Sequence, residues 1–201
     1  NAVKEFAKAA PALKNSATYK IDLINMVRQV LANKGTLVFN EIGTAHNNKN
    51  LQAFNTASAK FLQMIRLTDD HLNTDRYFSL NTYLKQAIDN GNTAEEKANN
   101  LKNELMQITY WGENVRTEDN LHEYAYKEWA GLMDAYYLPR WEIYFDYLRG
   151  NLQGKSLQEP DYFSWERKWV DENQKINPEK PQRPLQEVID EILSLSKHYP
   201  S

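Results

Sequence analysis

General acid–base catalysis requires carboxylates or imidazoles held close together, and this chain offers 27 acidic residues and four histidines. The run Asp69-Asp70-His71 brings three such groups together in sequence. Neighbouring residues of a helix point about 100° apart, however, and the run lies near a predicted helix end, where water solvates charged groups easily. We therefore interpret the run as solvated and non-catalytic. No other acidic cluster in the sequence identifies a catalytic centre.

Motifs for metals, nucleophiles and cofactors are missing from the sequence. Its four histidines, His46, His71, His122 and His198, are far apart, and no two have the i, i+4 spacing of a helical metal-binding pair. The chain has no cysteine, which excludes thiolate nucleophiles, cysteine-ligated metals and disulfides. The seven glycines form neither a phosphate-binding loop nor a dinucleotide fingerprint, and no serine lies in a G-x-S-x-G turn. We expect no metal site and no cofactor.

Aromatic residues are concentrated between positions 110 and 150, which contain three of the five tryptophans and seven of the twelve tyrosines. Such rings bind sugars well, because the flat face packs on pyranose C–H groups while an O–H or N–H holds a hydroxyl. Trp111 lies at a predicted helix end beside the charged segment 113–120, and we predict that it contacts a ligand. Helical spacing assigns the following aromatic residues to the core: Trp129, Trp141, Phe145, Trp165 and Trp169.

The elements that must position these residues are helices. Apolar residues recur at three- and four-residue spacing, whereas the alternation typical of strands and the Asn-Gly turn of a hairpin are missing. The pattern predicts an all-α fold, an antiparallel helical bundle of about eight helices in a single domain, 1–201. Thr93 and Glu96 have the spacing of a capping box. The predicted helices cover 2–14, 19–46, 51–72, 79–90, 94–111, 121–136, 141–150, 160–170 and 185–199.

Three residues in the aromatic stretch give local predictions about the backbone, and a fourth gives one about pairing. Gly131 is predicted to lie in the middle of a helix. Pro139 should push Leu138 away from helical dihedrals and produce a kink or a short break. Gly150 is predicted to end the second helix of the stretch. Arg140, with its fixed fork of donors among aromatic rings, is predicted to pair with a carboxylate or with helix-end carbonyls.

Composition limits the classes of partner. The net charge is −3 with a pI near 5.9, and no block of Lys or Arg stands out, so we expect no nucleic-acid partner. No apolar run approaches the ~20 residues of a membrane span, and we expect no signal peptide within these residues. The chain begins at Asn1 in a helical pattern, which is typical of a fragment or a processed product.

Three segments carry a resemblance to a known family. Trp111-Gly112, the segment EYAYKEWAGL and the segment YYLPRW resemble the C-terminal helical region of glycoside hydrolase family 89, the α-N-acetylglucosaminidases. A shorter match is YKIDLINMVRQVL, where Asn25 and Val27 replace the family's usual Asp and Thr. The matches occur in the family's order, with a region of similar length between them.

The resemblance implies a parent enzyme with a small N-terminal domain, a (β/α)8 barrel and this helical domain packed against the barrel. It implies a retaining exo-hydrolase of terminal α-linked N-acetylglucosamine on glycans, periplasmic or secreted. Separately, the way the chain begins and the absence of N-glycosylation sequons favour a bacterial origin. Both catalytic glutamates of that family lie in the barrel, so this chain should hold no catalytic residue. The resemblance places Trp111 and Tyr124 at the substrate pocket, although the loop between them is about four residues longer than in animal relatives.

Two hypotheses that assign the chain to other classes of protein remain open at this point. The chain could be a free-standing carbohydrate-binding or scaffold protein of the outer-membrane glycan-uptake kind, which is also helical and rich in aromatic residues. It could also be a helical-repeat interaction module, although no self-similarity at a period of 34 or 40 residues supports one. Barrel-forming sequence directly upstream in the parent reading frame would support the enzyme, and a lipoprotein signal there would support the binding protein.

Overall fold

The computed structural model describes residues 2–13, 15–111, 126–178 and 180–195. Within these ranges the regular elements are helices, and the β-type pairing consists of one parallel bridge between Ser79 and Ala130. The prediction of an all-α fold is confirmed. In chain order the helices are α1 Ala2–Ala7, α2 Ala10–Leu13, α3 Ala17–Asn47, α4 Leu51–Leu72, α5 Leu80–Asp89, α6 Ala94–Ile108, α7 Leu138–Leu152, α8 Tyr162–Glu172 and α9 Leu185–Leu195.

Short polar side chains begin the long helices. The Ser16 hydroxyl accepts a hydrogen bond from the Tyr19 amide at the start of α3, and the Asn50 side chain accepts one from Ala53 at the start of α4. Thr93 and Glu96 form the predicted capping box at the start of α6. Because only a short turn joins α3 to α4, the two helices pack antiparallel and form the most extensive helix–helix contact among the described elements.

The core consists of two hydrophobic clusters. The first gathers α4, α5, α6 and α8 around the turn Met133–Tyr137 that precedes α7, with Leu105 and Tyr136 fully buried. The second lies between α3, α4, α7 and α9, with Phe54 and Phe145 fully buried. The two clusters share the partly buried side chains of Phe61, Leu62, Trp141 and Leu185.

The chain between Tyr126 and Leu132 corrects one predicted helix. Residues 126–130 are not helical, and Ala130 is held in a bridge, its N–H donating to the Phe78 carbonyl (2.7 Å) and its carbonyl accepting from Leu80 (3.0 Å). Gly131 has φ +89°, so it turns the chain and does not lie in mid-helix. The periodicity was misleading because the aromatic and apolar residues here are buried by a bridge and a turn. Positions 121–125 of the predicted helix lie outside the described residues.

Pro139 produces a different adjustment from the predicted break. A π-helical turn, Met133–Tyr137, leads directly into α7, and Leu138 has helical dihedrals (φ −58°, ψ −56°). The wide turn lets the Leu138 N–H donate to the Met133 carbonyl, five residues back. Proline has no N–H for the carbonyl of Ala135, four residues back, and the Trp169 indole Nε1–H donates to that carbonyl instead (2.8 Å).

The end of α7 also differs from the prediction. Gly150 is buried inside the helix, where an added Cβ would overlap the Leu157 side chain, and α7 continues to Leu152. The chain turns at Gly154, which has φ +76°. Pro160 lies two residues before α8 and not in its first turn, since Asp161 caps that helix. Among the helices that the structure describes, none is long and apolar enough to span a membrane.

Candidate functional site

Trp111 lies where α6 gives way to the next segment. Helix α6 ends at Ile108, Tyr110 is buried against Phe163, and Trp111 follows half-buried at φ +30°. Its N–H donates to the Met106 carbonyl (2.9 Å), which closes the helix end. Trp111 therefore lies just beyond the end of α6, which stops at Ile108 and not at the predicted residue 111. A left-handed conformation costs a non-glycine residue about 1 kcal/mol, and residues held this way cluster at functional sites.

Tyr124, the second predicted site residue, lies outside the described residues. The structure resumes at Tyr126, two positions further along the chain. The segment 126–134, called here the return segment, directly follows in sequence the stretch that carries Tyr124.

Three side chains hold the first half of the return segment against neighbouring helices. The Tyr126 ring contacts the Tyr137 ring, with centroids 4.8 Å apart. Glu128 forms an ion pair with Arg28 of α3 (3.1 Å). Trp129 stacks nearly parallel on Tyr83 of α5, with centroids 3.9 Å apart. The sequence assigned Trp129 to a helical core, whereas the structure uses it to fix an extended segment.

Asp69 holds the second half of the return segment. Its carboxylate is fully buried, and Oδ1 accepts hydrogen bonds from the backbone N–H groups of Gly131 (2.6 Å) and Asp134 (3.2 Å). Oδ2 pairs with Lys180 (2.8 Å), which also reaches Asp134 (2.7 Å). Burial raises the pKa of Asp69 above its usual range despite the Lys180 charge. The carboxylate thus anchors backbone, with both oxygens engaged.

The other two residues of the Asp69-Asp70-His71 run point elsewhere. Asp70 lies 3.6 Å from Arg183, and the His71 Nε2–H donates to the Ile24 carbonyl (3.0 Å) in the core. The three groups do not converge on one point. The expected solvation is wrong for Asp69 and His71, which are both 0% exposed, because this part of α4 faces neighbouring elements on two sides.

An aromatic groove, which sequence analysis missed, opens beside the return segment. It has a volume of about 390 Å³, and Phe39 (38% exposed) and Tyr126 (53% exposed) are its most open rings. A sequence signal existed, since Phe39 directly follows Val38 and lies off the apolar face that Val38 and Ile42 define on α3. The lining residues are Phe39, Tyr126, Tyr137, Arg140, Trp141, Tyr144 and Tyr162.

Arg140 and Tyr162 give the groove its polar character. The Arg140 Nε lies 2.9 Å from Oε1 of the buried Glu166, so the predicted pairing of Arg140 is confirmed. The guanidinium also lies 5.2 Å from the centre of the Tyr162 ring. The Tyr162 hydroxyl is buried and has no hydrogen-bond partner within the described part of the chain. Burial raises the pKa of Tyr162, which keeps its phenol protonated.

Comparison with known proteins gives a consistent result. Residues 1–194 match the protein family described as the α-N-acetylglucosaminidase (NAGLU) C-terminal domain. A human α-N-acetylglucosaminidase is 28% identical over 199 residues, which cover 96% of this chain and 26% of that protein. The chain thus spans about a quarter of the length of this relative.

Solved structures show the same relationship. A family 89 glycoside hydrolase from Clostridium perfringens in complex with PUGNAc has a TM-score of 0.85 and 27% identity, over 96% of this chain and 23% of that one. A variant of the Clostridium perfringens enzyme with two glutamates changed to glutamine, in complex with its substrate GlcNAc-α-1,4-galactose, has a TM-score of 0.85 and 26% identity. Because the family match covers nearly the whole sequence, this chain belongs to the C-terminal domain family of the α-N-acetylglucosaminidases, glycoside hydrolase family 89.

Proposed function

We propose that this chain is the single helical C-terminal domain of a larger retaining exo-hydrolase that removes terminal α-linked N-acetylglucosamine from glycans. The match of residues 1–194 to that C-terminal domain carries the proposal, together with the quarter of the relatives' length that the chain spans. The catalytic carboxylates and the barrel belong to the rest of the parent chain. The described carboxylates with the deepest burial, Asp69 and Glu166, are engaged with Lys180 and Arg140, respectively.

The role proposed for the domain is to pack on the barrel and place Trp111 and Tyr124 at the edge of the substrate pocket. A barrel enzyme has its active site on the loops at the C-terminal ends of the strands, where helix ends of a neighbouring domain can reach. Trp111 occupies such a helix end in a strained conformation. The Asp69 hydrogen bond to Gly131 and the Arg28–Glu128 ion pair hold the return segment, which follows Tyr124 in sequence.

The test uses the parent enzyme with Trp111→Ala or Tyr124→Phe, assayed on an aryl α-N-acetylglucosaminide. A pocket role predicts that kcat/KM falls at least ~10-fold, or about 1.4 kcal/mol of transition-state stabilisation, with an almost unchanged thermal midpoint. Tyr77→Phe is the matched control, because Tyr77 is an exposed tyrosine (54%) outside the proposed site. A lower thermal midpoint with normal kcat/KM in the folded fraction would assign both residues to the core.

The proposal also includes a compartment. A bacterial enzyme that trims glycans of this kind would be periplasmic or secreted, where such glycans are accessible. The parent reading frame tests both the compartment and the enzyme itself. An export signal followed by barrel-forming sequence supports the proposal, whereas a lipoprotein signal joined directly to this domain would favour a carbohydrate-binding protein without catalysis.

A further inference from the structure

The aromatic groove combines three features that a hydrophobic core does not require. Six of its seven lining residues are aromatic, four of these are tyrosines, and the two most open rings, Phe39 and Tyr126, face solvent. A second cavity of about 310 Å³ shares Phe39, Tyr126 and Trp141 with it and extends the surface along α3. The groove is thus an accessible surface of flat π-faces edged by phenol groups.

The polar groups of the groove select a neutral, hydroxyl-rich ligand. The Arg140 charge is compensated by Glu166 at 2.9 Å, so the groove has no net charge from this pair to attract an ion. The buried Tyr162 hydroxyl has no hydrogen-bond partner among the described residues, and a buried polar group in this state gains free energy when a ligand hydroxyl pairs with it. An apolar peptide side chain would leave the Tyr162 hydroxyl unpaired.

The size of the groove matches a small saccharide. Its 390 Å³ lies at the lower end of the ~300–1,000 Å³ of small-molecule sites. Pyranose rings present C–H groups on one face and hydroxyls around the edge, which is the complement of exposed rings beside a phenol.

We infer that the aromatic groove binds a sugar ring of the glycan substrate, with Phe39 and Tyr126 as the stacking surfaces and Tyr162 as a hydrogen-bonding group. The inference rests on the proposed function for the identity of the glycan. It adds a saccharide contact formed by α3, the return segment, the start of α7 and the start of α8, on residues other than Trp111 and Tyr124.

The experiment is saturation-transfer NMR on the full chain with GlcNAc-α-1,4-galactose at millimolar concentration. Magnetisation should reach the pyranose C–H protons, and Tyr126→Ala or Tyr162→Phe should raise Kd at least fivefold. Tyr77→Ala is the matched control, because Tyr77 is 54% exposed and Tyr126 is 53% exposed. The control variant should bind as the wild type does. Circular dichroism melting of each variant checks that the fold is retained.

Three outcomes would overturn the inference. One is no transfer to the sugar. Another is equal Kd for the wild type and the folded Tyr126→Ala and Tyr162→Phe variants. The last is binding that Trp111→Ala abolishes and the groove variants leave intact, which would place the sugar at the end of α6. Hydrolysis by the parent enzyme is measured separately. Activity without groove binding removes this inference alone, and binding without activity removes the proposed function alone.

Discussion

At the scale of single residues, two arginine–glutamate pairs of nearly equal length differ in their burial. Arg140 lies 2.9 Å from Glu166, whose side chain is 3% exposed, and Arg66 lies 3.0 Å from Glu142, whose side chain is 43% exposed. A surface pair contributes little to stability, because water solvates both charges, whereas a buried carboxylate depends on its partner. The two pairs therefore form a matched comparison within one fold.

Arg140→Ala is expected to lower the free energy of unfolding by about 2–4 kcal/mol, because it leaves the Glu166 carboxylate buried without its counter-charge and removes packing on Tyr162. Arg66→Ala should change it by less than about 1 kcal/mol. Urea denaturation at pH 7 measures both. Equal losses for the two variants, or an unchanged midpoint for Arg140→Ala, would contradict the structural role.

His71 gives a prediction about pH. Burial lowers its pKa to about 4, because a proton on Nδ1 would place a charge in the core near Arg28. This effect outweighs the hydrogen bond from Nε2–H to the Ile24 carbonyl, which favours the charged form. Between the unfolded pKa near 6.5 and this value, only the unfolded state binds the proton, so stability falls as the pH falls. The free energy of unfolding of the wild type, relative to that of His71→Gln, should decrease by up to about 3 kcal/mol as the pH falls from 6.5 to 4. A constant difference in urea denaturation across that range would show that His71 protonates freely in the fold.

At the scale of elements, the regular helices could be predicted from the sequence, whereas the return segment and the π-helical turn that lead into α7 could not. The capping box of Thr93 and Glu96 and the apolar periodicity of α3 and α4 are local signals, so they could be read without the fold. The π-helical turn and the turn at Gly131 depend on partners 34 to 62 residues away in sequence, namely Trp169 and Asp69. No local pattern reports such partners, and the same reason hid the aromatic groove, whose rings come from three separate parts of the chain.

The junction between the π-helical turn and α7 can be tested by a double-mutant cycle. Trp169→Phe removes the indole N–H that satisfies the Ala135 carbonyl, with an expected loss of about 1–3 kcal/mol. In a Pro139→Ala background, residue 139 regains an N–H that can donate to the same carbonyl, so Trp169→Phe should cost about 1 kcal/mol less. Thermal and urea unfolding of the four proteins give the coupling. Additivity within ~0.3 kcal/mol would mean that proline and indole are not linked through Ala135.

At the scale of the whole molecule, the two most deeply buried carboxylates of the described residues, Asp69 and Glu166, have structural contacts. Asp69 has a raised pKa, which often indicates a general acid, but it is 0% exposed and both its oxygens are bonded. Glu166 is buried beside Arg140. A glycosidase needs two accessible carboxylates about 5–10 Å apart on either side of the scissile bond. Asp69 instead holds the return segment through Gly131, and Glu166 holds α7 through Arg140.

The isolated chain is therefore expected to hydrolyse an aryl α-N-acetylglucosaminide no faster than buffer, while the parent enzyme turns the same substrate over. Asp69→Asn and Glu166→Gln in the parent should act through stability, because each removes an anchoring charge. They should lower the thermal midpoint and leave kcat/KM of the folded fraction within about threefold, well below the 10²–10⁴ that general acid–base groups supply. Turnover by the isolated chain that one Glu→Gln change abolishes would place a catalytic carboxylate within these 201 residues. That result would contradict the proposal that the catalytic carboxylates lie in the barrel of the parent chain.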